Sequence, residues 1–242
     1  MLVLRDEKRR YAMKNAVAKS IGSLKSLSID GTPGGPCVVF FHGYGADAAD
    51  LIPLYDMLHL SSNTTFICPE AQMEVIIAPG MYGKAWFQID SRRLEEAMKN
   101  GEPTDMSQTT PPGLEQARKV AARMYDELVE KHSKVIIGGF SQGAMLATEL
   151  ALTHAKKPSG LVLMSATLLN EERWKKLAPS CDGVPFFQCH GKNDALLGYD
   201  YAERLFTLLN DAGLHGDFFS FSGGHEIPPK AIERIAKFIK SN

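Results

Sequence analysis

Residues 135–146 read VIIGGFSQGAML and contain a Gly-x-Ser-x-Gly pattern centred on Ser141. The apolar run before it is typical of a buried strand, and the residues after it favour a helix beginning near Gln142. A side chain at the apex of such a sharp strand-to-helix turn needs small residues two positions before and after it, and Gly139 and Gly143 meet that need. The N-terminus of the helix would favour an oxyanion at the apex. The stretch therefore predicts an exposed nucleophile at Ser141, although five residues of pattern alone could arise by chance.

Bulk composition restricts the partners of the chain. It has 242 residues, a formal net charge of −1, 44% hydrophobic and 23% charged residues, which indicates neither nucleic acid nor an anionic membrane as a dedicated partner. The four cysteines form no C-x-x-C pair, so neither zinc nor a disulfide framework is expected. The start, MLVLRDEKRRYAMKN, lacks the features of a signal peptide, and no apolar stretch is long enough to span a membrane. These features predict a cytoplasmic protein with reduced thiols, no stable membrane insertion and no metal or other cofactor.

Short apolar runs alternate with helical patterns along most of the chain. Apolar strands separated by helices favour a mostly parallel sheet with helices on both faces. We expect this sheet and its helices to form one domain over residues 21–242. Residues 1–20 are predicted to be an N-terminal extension, with a short polar helix over 5–19. The predicted strands are Cys37–Phe41, Thr65–Cys68, Val75–Ala78, Val135–Gly138, Gly160–Met164, Pro185–Cys189 and Phe218–Phe221. The predicted helices are Ala49–Leu60, Leu114–Lys131, Gln142–His154, Glu171–Leu177, Tyr199–Asn210 and Lys230–Lys240.

A serine nucleophile needs a base and an orienting acid, and two downstream strand ends offer them. The strand ending at Cys189 runs into His-Gly-Lys-Asn-Asp194, and the strand ending at Phe221 runs into Ser-Gly-Gly-His225. Open α/β sheets place their sites at the carboxyl ends of their strands, so Asp194 and His225 are the predicted acid and base. His190 is interpreted as a packed residue that bonds to loop backbone.

Two backbone N–H groups are expected to form an oxyanion hole. One is that of Gln142, directly after the serine, and the other lies in the loop after an earlier buried strand. The strand ending at Phe41 runs into His42-Gly43-Tyr44-Gly45, where the glycines allow close approach of the backbone to a substrate oxygen. The N–H of Tyr44 is therefore the predicted second donor.

Residues 79–113 form a long polar excursion, typical of a lid or a binding loop. The aromatic residues Trp86 and Phe87, with Met81, Tyr82 and the Leu196-Leu197 loop, suggest an apolar wall for a substrate. Packing of these side chains into the core is an equally good interpretation of the same pattern.

Six sequence segments, taken in order along the chain, resemble those of the carboxylesterase/phospholipase family that includes the acyl-protein thioesterases. They are VVFFHGYGADAADL, FICPEAQ, AWFQID, IIGGFSQGAMLATELAL, VPFFQCHGKNDALL and SGGHEIPP, and the resemblance spans roughly residues 22–240. It implies an α/β-hydrolase fold with a minimal cap and a metal-independent serine esterase or thioesterase. It also implies a triad of Ser141, Asp194 and His225, oxyanion donors at Tyr44 and Gln142, and acyl-site residues at Trp86 and Phe87. Gln88 stands where the family more often has Asp, and Tyr44 where it more often has Leu.

These features predict cleavage of small-molecule or lipid-like acyl esters. The main expectation is a carboxylesterase acting on small to medium acyl chains through an acyl-enzyme. The alternative is a thioesterase or lysophospholipase acting on long acyl chains.

Two rival interpretations of the sequence assign the protein to other functional classes. Gly43 to Ala48 fits the G-x-G-x-x-A pattern of a dinucleotide site with Glu70 as a ribose ligand, and a catalytically inactive hydrolase fold could serve as a binding module. A homodimer is left open.

Overall fold

The computed structural model describes residues 15–90, 92, 96, 99–101 and 103–242. Within them, eight strands form one sheet: β1 Val17–Ile21, β2 Leu24–Ile29, β3 Cys37–Phe41, β4 Thr65–Pro69, β7 Val135–Phe140, β8 Gly160–Met164, β9 Pro185–Gly191 and β10 His215–Phe221. Their spatial order is β1-β2-β4-β3-β7-β8-β9-β10, and β5 Met73–Ala78 and β6 Met81–Ala85 form a separate hairpin. The six neighbouring strands β4, β3, β7, β8, β9 and β10 run parallel, whereas β1 and β2 are antiparallel additions at one edge.

Helices cover both faces of this sheet. They are α1 Ala48–Leu51, α2 Leu54–Leu58, α3 Leu114–Lys131, α4 Gln142–Thr153, α5 Glu171–Leu177, α6 Tyr199–Asp211 and α7 Pro229–Ser241, with a 3-10 turn at Ala178–Cys181. β3 illustrates why the strands read as continuous apolar runs. Val39 and Phe41 face the core layer under α3 and α4, while Val38 and Phe40 face the layer under α2 and α7. The predicted mostly parallel sheet with helices on both faces is confirmed.

Several predicted boundaries need correction. The predicted helix over 5–19 falls partly on residues 1–14, which lie outside the described part of the chain, and residues 17–19 belong to strand β1. The sheet thus begins inside the predicted extension 1–20. The predicted helix Ala49–Leu60 is two short helices, because the chain turns at Ile52 and Pro53 and α2 ends at His59 in the left-handed region, with φ 47°.

The predicted strand Val75–Ala78 lies outside the main sheet. It is part of β5, Met73–Ala78, which among the described residues pairs with β6 alone, Met81–Ala85, in a two-stranded hairpin. The hairpin therefore occupies the start of the excursion predicted over 79–113. Beyond Phe87 the two ends of this excursion meet, because the Gln88 N–H donates to the Pro112 carbonyl at 2.9 Å. Strands β1, β2 and β6 were missed by sequence reasoning because their outward side chains are polar or exposed.

Candidate active site

Ser141 occupies a strained turn between β7 and α4. Its backbone has φ 54° and ψ −119°, a region that a non-glycine residue rarely adopts. The Ser141 N–H donates to the Met164 carbonyl at 2.8 Å, and its carbonyl accepts from Ala144 at 3.0 Å as the helix starts. A Cβ at Gly139 would lie 2.5 Å from the Phe41 oxygen, and one at Gly143 only 2.0 Å from it. Backbone contact therefore enforces both glycines that the pattern singled out.

Asp194 follows β9 and is surrounded by donors. Its Oδ1 accepts from the N–H groups of Leu196 at 2.9 Å and Leu197 at 3.0 Å. Its Oδ2 lies 2.7 Å from His225 Nδ1 and 3.2 Å from His190 Nε2, and the carboxyl side chain is fully buried. Burial would raise the pKa of Asp194, but the hydrogen bonds from His190, His225 and Leu197 outweigh it and hold this pKa far below its ordinary value.

His225 follows β10 and contacts both the acid and the turn that carries Ser141. The ionised Asp194 can only accept, so His225 Nδ1 carries the proton of their 2.7 Å hydrogen bond and Nε2 is left as the acceptor of the ring. The His225 ring lies 4.8 Å from the ring of Phe140, the residue before the serine, and is 15% exposed. The acid and histidine loops pack backbone to backbone, since a Cβ at Gly191 would lie 2.2 Å from the Gly224 oxygen.

His190 bonds to loop backbone, as its sequence context predicted, and it also contacts the acid. Its Nε2 lies 2.6 Å from the Leu197 carbonyl, so this nitrogen carries the proton and shares it with Asp194 Oδ2. The ring is fully buried, and its Nδ1 has no hydrogen-bond partner among the described residues. The sequence contained a signal for this second contact in the i, i+4 spacing of His190 and Asp194, which sequence reasoning did not use.

The two predicted oxyanion donors flank the serine turn. Gln142 is the first residue of α4, and Tyr44 lies in the loop after β3. Neither N–H donates to a backbone or side-chain acceptor within the described ranges. The Tyr44 loop is held by His42, whose Nδ1–H donates to the Gly43 carbonyl at 2.7 Å while its Nε2 accepts from Ala71 N–H at 3.1 Å. Burial lowers the pKa of His42, in agreement with this neutral form.

The three predicted substrate-wall residues are mostly internal. Phe87 is completely buried and Trp86 is 7% exposed, and both belong to the core beneath α3. Leu196 packs partly buried against the same core. Trp86 and Phe87 line a cavity of about 170 Å³ with Leu24, Met73 and Val120, which none of the three predicted triad residues borders. The complete burial of Phe87 favours the alternative interpretation of core packing, and its role in substrate binding stays a prediction.

The loop that carries the rival dinucleotide pattern packs against the β5–β6 hairpin. A Cβ at Gly83 of β6 would lie 2.1 Å from the Gly45 oxygen, so the hairpin packs directly on this loop. The N-terminus of α1 is already capped, since the Asp47 side chain accepts from Ala49 N–H at 2.8 Å. A carboxylate at that position would repel a pyrophosphate, which argues against the dinucleotide site.

The described ranges lack two other kinds of feature. They bring together no group of three or more His, Cys, Asp or Glu side chains suited to hold a metal ion. None of the helices in this part of the chain has the length and apolarity that a membrane span requires.

The sheet order and the serine turn define an α/β-hydrolase fold. The phospholipase/carboxylesterase family matches residues 29–242, and the chain belongs to this family of hydrolases. It is 27% identical over 220 residues to acyl-protein thioesterase 1 homolog 1 of Dictyostelium discoideum, covering 84% of this chain and 88% of the relative.

Two solved structures share the fold at lower identity. Esterase PE8 has a TM-score of 0.74 and 23% identity, covering 90% of this chain and 98% of its own. Acyl-protein thioesterase 2 of Zea mays has a TM-score of 0.70 and 22% identity, covering 89% of this chain and 97% of its own. Since both identities are below 25%, these two likenesses show the fold alone.

Proposed function

We propose that this protein is a serine hydrolase that cleaves carboxylic esters of small to medium acyl chains through an acyl-enzyme intermediate. The observation that carries the proposal is the 2.7 Å Asp194–His225 hydrogen bond next to a serine held at φ 54°. A buried, ionised acid fixes the tautomer of the histidine, and the strained turn projects a hydroxyl from the carboxyl end of a central strand.

The proposed reaction needs only side-chain and backbone groups of the chain and one water molecule. His225 Nε2 takes the proton of the Ser141 hydroxyl as its oxygen attacks the acyl carbonyl, and Asp194 stabilises the imidazolium that forms. The carbonyl π electrons move to the oxygen, which the Tyr44 and Gln142 N–H groups stabilise. The tetrahedral adduct collapses, His225 gives its proton to the leaving alcohol, and the acyl group stays on Ser141. Water, activated by His225, then releases the acid and restores the serine.

The neutral, buried His42 supports the second oxyanion donor. By donating to the Gly43 carbonyl it fixes the peptide that precedes Tyr44, and the Ala71 N–H holds the other side of the ring. A preorganised donor needs no reorganisation as charge develops on the substrate oxygen. This arrangement supports hydrolysis over the alternative of a catalytically inactive binding module.

A second candidate is hydrolysis of long-chain acyl thioesters or lysophospholipids. The relative from Dictyostelium discoideum is named an acyl-protein thioesterase, which favours this candidate. The β5–β6 hairpin also carries apolar side chains that are 50–69% exposed, and Ile77 lies against Gly45 of the oxyanion loop. The exposed apolar residues are Ile76, Ile77, Met81 and Tyr82.

The first experiment removes the nucleophile. Ser141→Ala should abolish hydrolysis of p-nitrophenyl acetate and covalent labelling by a fluorophosphonate probe. The matched control is Ser23→Ala, which removes a hydroxyl from another positive-φ serine, at 130°, in the β1–β2 turn, and should keep both activities. Turnover retained by Ser141→Ala would refute the assignment of the nucleophile.

A second experiment separates the two substrate classes. We would compare kcat/KM across oxygen esters and thioesters from acetyl to palmitoyl, together with a lysophospholipid. A maximum among short and medium oxygen esters supports the main proposal. A maximum at palmitoyl thioester or lysophospholipid replaces it with the second candidate, without changing the predicted triad.

A further inference from the structure

Trp86 contacts both halves of the proposed oxyanion hole. Its indole Nε1–H donates to the His42 carbonyl at 2.9 Å, two residues before Tyr44. Its backbone N–H donates to Oε1 of the Gln142 side chain at 2.8 Å. The Gln142 Nε2 donates in turn to the Phe87 carbonyl at 2.8 Å. Trp86 is therefore hydrogen-bonded through its indole to the loop that carries Tyr44, and through its backbone to the side chain of Gln142.

These bonds are formed away from water. Gln142, His42 and Phe87 are completely buried, and Trp86 is 7% exposed. The partners determine the orientation of the Gln142 amide, because an N–H faces its oxygen and a carbonyl faces its nitrogen. A buried polar group that loses its partner has no solvent to replace it, so each bond strongly favours one geometry.

The indole is also fixed by its ring contacts. Its ring meets Phe41 edge to face at a centroid distance of 5.2 Å and lies 5.1 Å from the His42 ring. Phe41 and His42 are the last residue of β3 and the first of the loop that carries Tyr44. Movement of the indole would therefore move this loop relative to the start of α4.

We propose that Trp86, through its indole N–H and with the Gln142 amide, is a positioning residue that sets the separation of the Tyr44 and Gln142 oxyanion donors. The inference rests on the proposed function, since it assigns a role within the same site. It replaces the predicted role of Trp86 as a substrate wall. It also gives Gln142 two separate roles, with the backbone N–H binding the oxyanion and the side chain holding Trp86 in place.

The other tryptophan of the chain provides a matched control. Trp174 is also fully buried, and its Nε1–H donates to the Glu149 carboxylate at 2.8 Å, on a helix residue two turns beyond Gln142. Trp86→Phe and Trp174→Phe each remove one buried indole N–H and keep an aromatic ring. The two variants differ in whether the lost bond reaches the oxyanion loop.

Kinetics of the two variants test the proposal. Turnover is measured per active site, counted by fluorophosphonate titration, so that unfolded molecules do not lower it. Trp86→Phe should lower kcat by about 10- to 100-fold with little change in KM, less than the 100- to 1000-fold typical of losing a whole oxyanion donor. A trifluoromethyl ketone, which forms a tetrahedral adduct on the serine, should lose affinity by the same factor. Trp174→Phe should keep the natural kcat.

Each alternative outcome decides the question. Equal kcat in Trp86→Phe and the natural chain overturns the positioning role and leaves the Ser141 assignment standing, whereas an active Ser141→Ala removes the proposed function itself. A raised KM with unchanged kcat would return Trp86 to a substrate-contact role and overturn the inference.

If Trp86→Phe does not fold, the Gln142→Met variant tests the proposal instead. It keeps the backbone N–H and the length of the side chain, but it removes both hydrogen bonds of the side-chain amide. It should show the same fall in kcat, and a natural kcat in it overturns the proposal.

Discussion

Gly143→Ala is a sharp test of the geometry around the serine. The added Cβ would lie 2.0 Å from the Phe41 oxygen, 2.4 Å from the Phe41 carbonyl carbon and 2.5 Å from the His42 oxygen. All three are backbone atoms, so no side-chain rotation relieves the contact. Ordinary contact begins near 3.4 Å, so the start of α4 and the end of β3 have to separate by about 1.4 Å.

This displacement acts directly on the proposed site. Gly143 is next to Gln142, and Tyr44 lies three residues after Phe41, so the substitution should push the two proposed oxyanion donors apart. A misplacement of about 1 Å can cost about 100-fold in rate, so kcat should fall by at least that factor. Overpacking of this kind also destabilises by about 1–3 kcal/mol, and the backbone contacts place the variant at the upper end of that range.

The assay combines kcat per titrated site with urea unfolding. Gly34→Ala is the control, because this glycine has φ 77° and open space where the methyl would go. It should lose about 1–2 kcal/mol through backbone strain and keep its natural kcat. A Gly143→Ala protein with natural kcat and stability would show that the α4–β3 crossing can widen freely, and the reasoning about both donors would be wrong.

Three further predictions concern the histidines and the acid. Asp194→Asn should lower kcat by about 10⁴-fold while the fold is kept, because the amide no longer fixes the His225 tautomer, and unchanged kcat would contradict this. His190→Phe should lower the free energy of unfolding in urea by about 1–3 kcal/mol, since the buried Leu197 carbonyl loses its donor, and equal stability would refute it. Burial lowers the pKa of His42, so its contribution to stability is complete above the ordinary imidazole pKa of about 6.5 and is lost as the pH falls below it. Imidazole NMR should place the protonation midpoint of this ring below the ordinary imidazole pKa, and a ring half-protonated near pH 6.5 would contradict the expectation.

The central strands, and the positions of the proposed acid and histidine at strand ends, were predictable for a physical reason. Strands buried on both faces, such as β3 and β8, read as continuous apolar runs, and their bounds at Cys37–Phe41 and Gly160–Met164 match the prediction. Asp194 and His225 each follow such a run, and the carboxyl ends of parallel strands lie on one edge of a sheet. Their 2.7 Å contact is thus consistent with the topology that the pattern predicts.

The strands at the edge of the sheet and in the hairpin were predicted poorly because few of their side chains are buried. β1 and the β5–β6 hairpin carry exposed side chains on much of their length, so they lack the continuous apolar run that marks a central strand. Pairing with a neighbour, rather than their own side chains, makes these segments strands.

Sequence pattern was sufficient where the local backbone geometry follows from neighbours along the chain. The strained turn at Ser141 is one such case, because Gly139 and Gly143 lie within two positions of it. The contacts of Trp86 with Gln142 and with His42 join residues 56 and 44 positions apart, and the pattern assigned Trp86 to a substrate wall. Only the folded chain decides which buried carbonyl an indole N–H meets, because that choice depends on where β6 crosses the ends of β3 and β7, and local patterns of residues do not encode such crossings.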